Sequence, residues 1–368
     1  MRYFAESYAQ ARGFFLTAAT EAGAAIETLT HPSALSPSGG PLCMDVARVG
    51  RADASNVLFM MCGTHGVEGY PGSAAFTAFL AHGLPQQLPP HVAIVILHGL
   101  NPYGWSRDSQ RNEDGIDINR NFLDFTKPLP AEDQLHKRFS AILDIDEMSF
   151  GALDRAAQAI FATREQVGAK RFMDALAGGQ YNSPRGIKFG GQAPAWSNLC
   201  LRRTIREYLA RAERIASLDW HTGLGGYGEL FTLCFSSEQG QAYQKTSEWW
   251  GAELVRRGAQ SWSPAGESAP SPDITGSAWN CIVEEAPQAQ IAGGVIEFGT
   301  VSLENVLQGV VLDHWLTFNA PADPANAYWR AQMRAFFAPR EPSWERSVAR
   351  HSERVCAASL AGLTAWTA

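Results

Sequence analysis

The chain has 368 residues, 45% hydrophobic and 18% charged, and 30 Lys and Arg against 37 Asp and Glu leave a formal charge of −7. These figures lie in the globular range and exclude disordered, collagen-like, coiled-coil and low-complexity classes. An acidic chain without a basic stripe predicts no nucleic-acid partner, and apolar runs as short as 92–97 predict no membrane span.

Length admits one or two domains, and the absence of a long linker or internal repeat predicts a single domain over 1–368. Taken in chain order, residues 1–23 place Phe4, Tyr8, Ala11, Phe15 and Ala18 near helical spacing. They predict an amphipathic helix, and Glu6 with two arginines argues against a secretion signal. The stretch 31–41 reads as a surface loop, 57–61 as a strand, 72–82 as a helix and 92–97 as a strand. Helical patterns follow at 132–143, 153–177 and 201–211, then strands at 215–220 and 230–235. A helix at 238–257, a loop at 260–277, a strand at 294–298 and a helix at 303–318 complete the body. Strands alternating with helices predict an α/β fold with a mixed, centrally parallel twisted sheet between helices. Residues 325–368 read as a helical tail, with Trp329, Trp344 and Trp366 packing it onto the body. Cys43, Cys62, Cys200, Cys234, Cys281 and Cys356 form no CxxC pair, which predicts free thiols in a reducing cytoplasm.

In such a sheet, ligands bind beyond the carboxyl ends of the strands. The first strand is followed by His65 and Glu68, the second by His98, and the third by His221, while Glu297 lies in the fourth. An HxxE pair on a tight turn entering a helix can converge on one cation, and His221 adds a third ligand from another strand. A His₂Glu set with an open fourth position is the pattern of a catalytic zinc site. Glu297 remains as a general base, and Asp219 is placed to orient a ligand histidine. HxxE alone is weak among nine histidines; it is the coincidence of three strand ends that carries the reading, against the alternative of a satisfied polar cluster. His98 is given at most a supporting part.

The segment 101–122 holds Arg107, Arg111 and Arg120 beside Asn119. Arginine's planar fork suits a substrate carboxylate. The same segment carries Asp108, Glu113, Asp114 and Asp117, as a charge-balanced solvated loop would. Gly223–Gly228 satisfies GxGxxG, but a strand rather than a helix follows, so dinucleotide binding fails. No GxSxG elbow supports a serine hydrolase.

HGVEG, the run from NPYGW through RNEDGIDINRNF, DWHTG and IEFG occur in this order. Together they resemble the zinc carboxypeptidase superfamily, which includes carboxypeptidase A-like peptidases and aspartoacylase-like and succinylglutamate desuccinylase-like deacylases. YFAESYAQAR, GQYNSPRGIKFGGQAPAWSN and DWHTGLGGYG are similar to a bacterial branch of unassigned function, and the likeness runs to about residue 318. The resemblance implies a phosphorylase/hydrolase-like three-layer fold and one Zn²⁺ per chain held by His65, Glu68 and His221. A second ion, supported by carboxylates such as Asp219, stays open. Glu297 would be the base that deprotonates water and passes the proton to the leaving amine. Arg111 would stabilise the oxyanion and bind substrate, and Asn119 with Arg120 would grip a terminal carboxylate. The helical stretch at about 130–178 would be an insertion near the site entrance. No motif fixes a catalytic tyrosine; Tyr181 and Tyr227 are candidates that read as packing or loop residues.

The expected activity is zinc-dependent hydrolysis of an amide bond next to a free carboxylate, by a carboxypeptidase on short peptides. An N-acyl amino acid deacylase is the alternative enzyme, and a catalytically inactive binding module is the alternative of another class. The expected partner is a small peptide or N-acyl amino acid, with a homo-oligomer left open.

Overall fold

The computed structural model describes residues 3–85, 87–131, 133–235, 240–257, 273–319 and 324–367. Among them one sheet forms from β1 (Ala25–Leu35), β2 (Pro41–Gly50), β3 (Asn56–Cys62), β4 (Val92–His98), β5 (Arg214–Tyr227), β6 (Leu230–Cys234), β7 (Val255–Arg257) and β8 (Gln290–Gly299). The spatial order is β1-β2-β4-β3-β5-β8-β6-β7. Its four central strands, β4, β3, β5 and β8, are mutually parallel. The flanks reverse: β1 against β2, β2 against β4 and β6 against β8 are antiparallel. The sheet is thus mixed and parallel at its centre, as the alternation of elements predicts.

The central strands are apolar on both sides because helices cover both faces. Along β3, Leu58, Met60 and Cys62 enter one core while Val57, Phe59 and Met61 enter the other, following the period of two. The first core is closed by α1 (Tyr8–Glu21) and α2 (Gly69–Ala78), and by α8 (Gln241–Trp250) and α12 (Pro342–Ala365). The second is closed by α7 (Trp196–Tyr208) and α9 (Ala278–Glu285). A third cluster joins α4 (Gln134–Leu143), α5 (Phe150–Val167) and α6 (Ala169–Ala177) to α10 (Leu303–Phe318) and α11 (Ala327–Phe337). The stretch read as an insertion therefore packs on α10 rather than on the sheet's main faces. A short helix, α3 (Pro102–Ser106), follows β4.

Tyr8, Ala11, Phe15 and Ala18 are buried, as the spacing of α1 requires, and Ser7 caps the helix through its side chain. The tail is anchored by Trp344, 1% exposed, which donates Nε1–H to Gly299 O at 2.8 Å, and by the buried Trp366. All six cysteines are free and buried. No helix among the described residues is long and apolar enough to cross a membrane.

Several expectations need correction. The loop expected at 31–41 is the end of β1, a short turn and the start of β2. β1 is an edge strand with a mostly exposed, weakly alternating pattern, so its apolar signal is faint. The helix expected over 153–177 begins at Phe150, capped by Ser149, and breaks at Gly168, whose φ of +83° no helical residue adopts. The helix expected over 238–257 ends at Trp250, and its last residues form β7. Most of the loop expected at 260–277 lies outside the described residues.

Candidate metal centre

The site begins where β3 ends. Gly63, at φ +76°, turns the chain, and residues 66–68 form one 3₁₀ turn that leads into α2. His65 stands at the N-cap of that turn and Glu68 ends it, with Glu68 N bonded to His65 O at 2.8 Å. In a 3₁₀ turn the i and i+3 side chains eclipse, which is what an HxxE pair needs to face one point. His65 Nδ1 lies 3.1 Å from Glu68 Oε1. Gly66 between them is required by space: a Cβ there would lie 2.1 Å from Trp105 N.

The third group arrives along β5. Asp219 and His221 are two residues apart and so share a face, and His221 Nε2 lies 2.7 Å from Asp219 Oδ2. His221 Nδ1 turns to Glu68 Oε2 at 3.2 Å. The ligand atoms of His65, Glu68 and His221 all lie within 4.8 Å of one another, and all three residues are buried. The two imidazoles are arranged alike: each turns Nδ1 toward Glu68 and rests Nε2 on an aspartate. For His65 that aspartate is Asp117, whose Oδ1 is 3.1 Å away. Two imidazole nitrogens and a carboxylate, with the far nitrogens held by carboxylates, form a donor set that fits a divalent cation such as zinc.

Further hydrogen bonds fix the carboxylates. Gln110 Nε2 donates to Glu68 Oε1 at 2.8 Å and Thr222 N to Oε2 at 3.1 Å, while Thr64 Oγ1 donates to Asp219. Burial alone would raise the Glu68 carboxyl, but His65 and His221 outweigh it and hold it well below the usual carboxylate range. Burial likewise opposes a charged His221, yet Asp219 and Glu68 lift its imidazole well above the ordinary value. Burial would raise Asp117 too, but Lys188, His65 and Arg120 hold it well below.

Glu297 is 4% exposed, shares the pocket with the three ligand candidates, and accepts Leu224 N–H on Oε1 at 3.0 Å. Burial pushes its carboxyl up to about 8, against the pull of His221. Asn119 and Arg120 also line the pocket. Arg120 donates Nε to Ala177 O at 2.8 Å, and Asn119 Oδ1 accepts Ala278 N–H at the start of α9. The remaining walls are largely apolar, with Leu176 from α6, Leu303, Leu307 and Val310 from α10, and Phe337 from α11.

Arg111 does not join them. Its Nη1 donates to Gly115 O and Gly186 O, Nη2 to Gly186 O, and Nε faces Asp313 Oδ2 at 3.5 Å. With every nitrogen engaged, it lies outside the lining of the pocket and braces a loop. Tyr181 is fully buried with its hydroxyl on Arg120 O, and Tyr227 is 51% exposed beside Glu341. Neither lines the pocket. His98 turns to the opposite face of the sheet, where it bonds Ser73 Oγ at 2.9 Å and stacks on Phe15. Asp117, Gln110 and Lys188 were missed as site residues. The D-x-N-R spacing could have flagged Asp117; nothing local marks the other two.

No curated protein matches the sequence. Among solved structures, the chain is similar to carboxypeptidase A from Helicoverpa armigera, at 15% identity over 91% of this chain and 75% of that one, with a TM-score of 0.44. It is similar to a Pseudomonas aeruginosa metallo-carboxypeptidase in complex with (2-guanidinoethylmercapto)succinic acid, at 13% identity over 96% and 68%, TM-score 0.44. A metallo-carboxypeptidase from Burkholderia cenocepacia matches at 13% identity over 96% and 67%, TM-score 0.43. The family model described as a protein of unknown function (DUF2817) matches residues 4–351, and the chain belongs to that family.

Proposed function

We propose that this protein is a zinc-dependent hydrolase that cleaves an amide bond next to a free carboxylate, acting as a carboxypeptidase on short peptides. The observation that carries this reading is that His65, Glu68, His221 and Glu297 converge on one pocket with Asn119 and Arg120. A cation bound by the two imidazoles and Glu68 supplies Lewis acidity, polarising a carbonyl and making water acidic at neutral pH. A cation at the adjacent ligands would also pull the Glu297 carboxyl, which burial raises to about 8, back toward its ionised form. With Oε1 held by the Leu224 amide, Oε2 would then take the proton from water and pass it to the leaving amine. Arg120 and Asn119 anchor the substrate's terminal carboxylate, Arg120 through its guanidinium. The apolar walls of α6, α10 and α11 favour an apolar terminal side chain over a charged one.

The test is release of amine from zinc-loaded protein given dipeptides ending in Leu or Phe, dipeptides ending in Asp or Lys, and N-acetyl and N-succinyl amino acids. The reading expects turnover of the apolar dipeptides. Turnover confined to the N-acyl amino acids would replace the peptidase with a deacylase, and no turnover of any of them would overturn it.

A further inference from the structure

Lys188 is one of two non-glycine residues among the described residues with positive φ, at +49°. That conformation favours glycine, and a lysine held there costs backbone strain. It stands in a loop with Gly186, Gly190 and Gly191, of which only Gly191 takes a positive φ, at +84°. The loop is pinned on both sides of it: Gln180 N bonds Lys188 O at 3.1 Å, and Asp117 N bonds Phe189 O at 2.8 Å. The strain is therefore imposed by the fold.

That side chain is 16% exposed and lines the pocket of the metal centre, with Nζ 3.0 Å from Asp117 Oδ2. The other oxygen of Asp117 is already engaged by His65 Nε2 at 3.1 Å and Asn119 N at 2.9 Å. Resting on the zinc-site reading above, we propose that Lys188 is a positioning residue: its ammonium pairs by charge, without a hydrogen bond, with the Asp117 carboxylate that in turn orients His65. Without the cation, one oxygen of a buried carboxylate loses its counter-charge, and the brace behind His65 is held through Oδ1 alone.

The test compares Lys188→Met, Lys188→Arg and Lys188→Gly by two readouts, zinc affinity in a chelator competition and the melting temperature of the metal-free protein. The Met and Gly variants should bind zinc 10- to 100-fold more weakly, and the Arg variant should stay within a few-fold of the unmodified protein. Glycine relieves the strain that methionine keeps, so Lys188→Gly should melt higher than Lys188→Met while its zinc affinity falls as far. Zinc affinity unchanged in the Met and Gly variants would overturn the proposal. So would affinity losses that merely follow losses in melting temperature, with no rescue by arginine. If the unmodified protein binds no zinc, the metal-site reading fails first and takes this inference with it; a zinc-binding parent whose variants bind equally well sinks only the inference.

Discussion

His221 and Glu297 are register partners across the parallel pairing of β5 with β8. Partners in a parallel pair project on the same side of the sheet, so the backbone hydrogen bonds alone set the imidazole beside the carboxylate. This separates a ligand from a proton carrier. Glu297→Gln keeps the shape and the Leu224 contact but cannot accept a proton. Zinc affinity should stay within twofold while kcat falls by about 10²- to 10⁴-fold, measured by chelator competition and by amine release. Unchanged kcat would remove Glu297 from the reaction.

Asp219 supports His221 from behind and is itself held by Thr64. Asp219→Asn removes the charge while keeping the size, and should weaken zinc binding by about 10- to 100-fold. The competition assay checks this, and far-ultraviolet circular dichroism checks that the fold is kept.

Gly66 allows the HxxE turn to lie against the backbone of α3. A methyl group there would meet Trp105 N at 2.1 Å and Gly104 C at 2.3 Å, neither of which can move aside as a flexible side chain would. Gly66→Ala should cost about 1–3 kcal/mol or more in urea unfolding and should lower zinc affinity as well, because His65 and Glu68 are displaced together.

Two buried histidines contribute to the loss of stability in mild acid. Burial lowers His98 to about 4 and His314 to about 4, below the ordinary value of 6.5. For a depressed folded value the unfolded chain binds the extra proton first. The stability is therefore fully present above about pH 6.5 and is lost as pH falls through about 4. His98, fully buried, should contribute about 3 kcal/mol to this decline. Urea midpoints between pH 7 and pH 4.5 check it, and His98→Gln should be less stable at pH 7 with a shallower slope.

The central strands were legible because β3 and β4 are buried on both faces and read as unbroken apolar runs. α10 was legible to its ends, with Ser302 capping it. β1 was not, since its few inward residues are interrupted by His31 and Pro32, and α9 is too short to show a period. At the site, His65, Glu68, His221 and Glu297 could be read because each sits at a strand end, where topology alone brings side chains together. Arg111 could not be placed, because what engages it, Gly186 and Asp313, comes from remote loop and helix positions that no local motif announces. Asp117 was hidden for a related reason: its spacing looked like that of its solvated neighbours, and only the fold shows it 3% exposed behind His65.

The most direct measurement is an anomalous-difference map, collected on either side of the zinc absorption edge, from crystals grown with stoichiometric zinc. The account predicts a single strong peak within bonding distance of His65 Nδ1, His221 Nδ1 and the Glu68 carboxylate, present above the edge and absent below it. No peak there, or zinc bound only at other residues while these three remain bonded to one another, would contradict it.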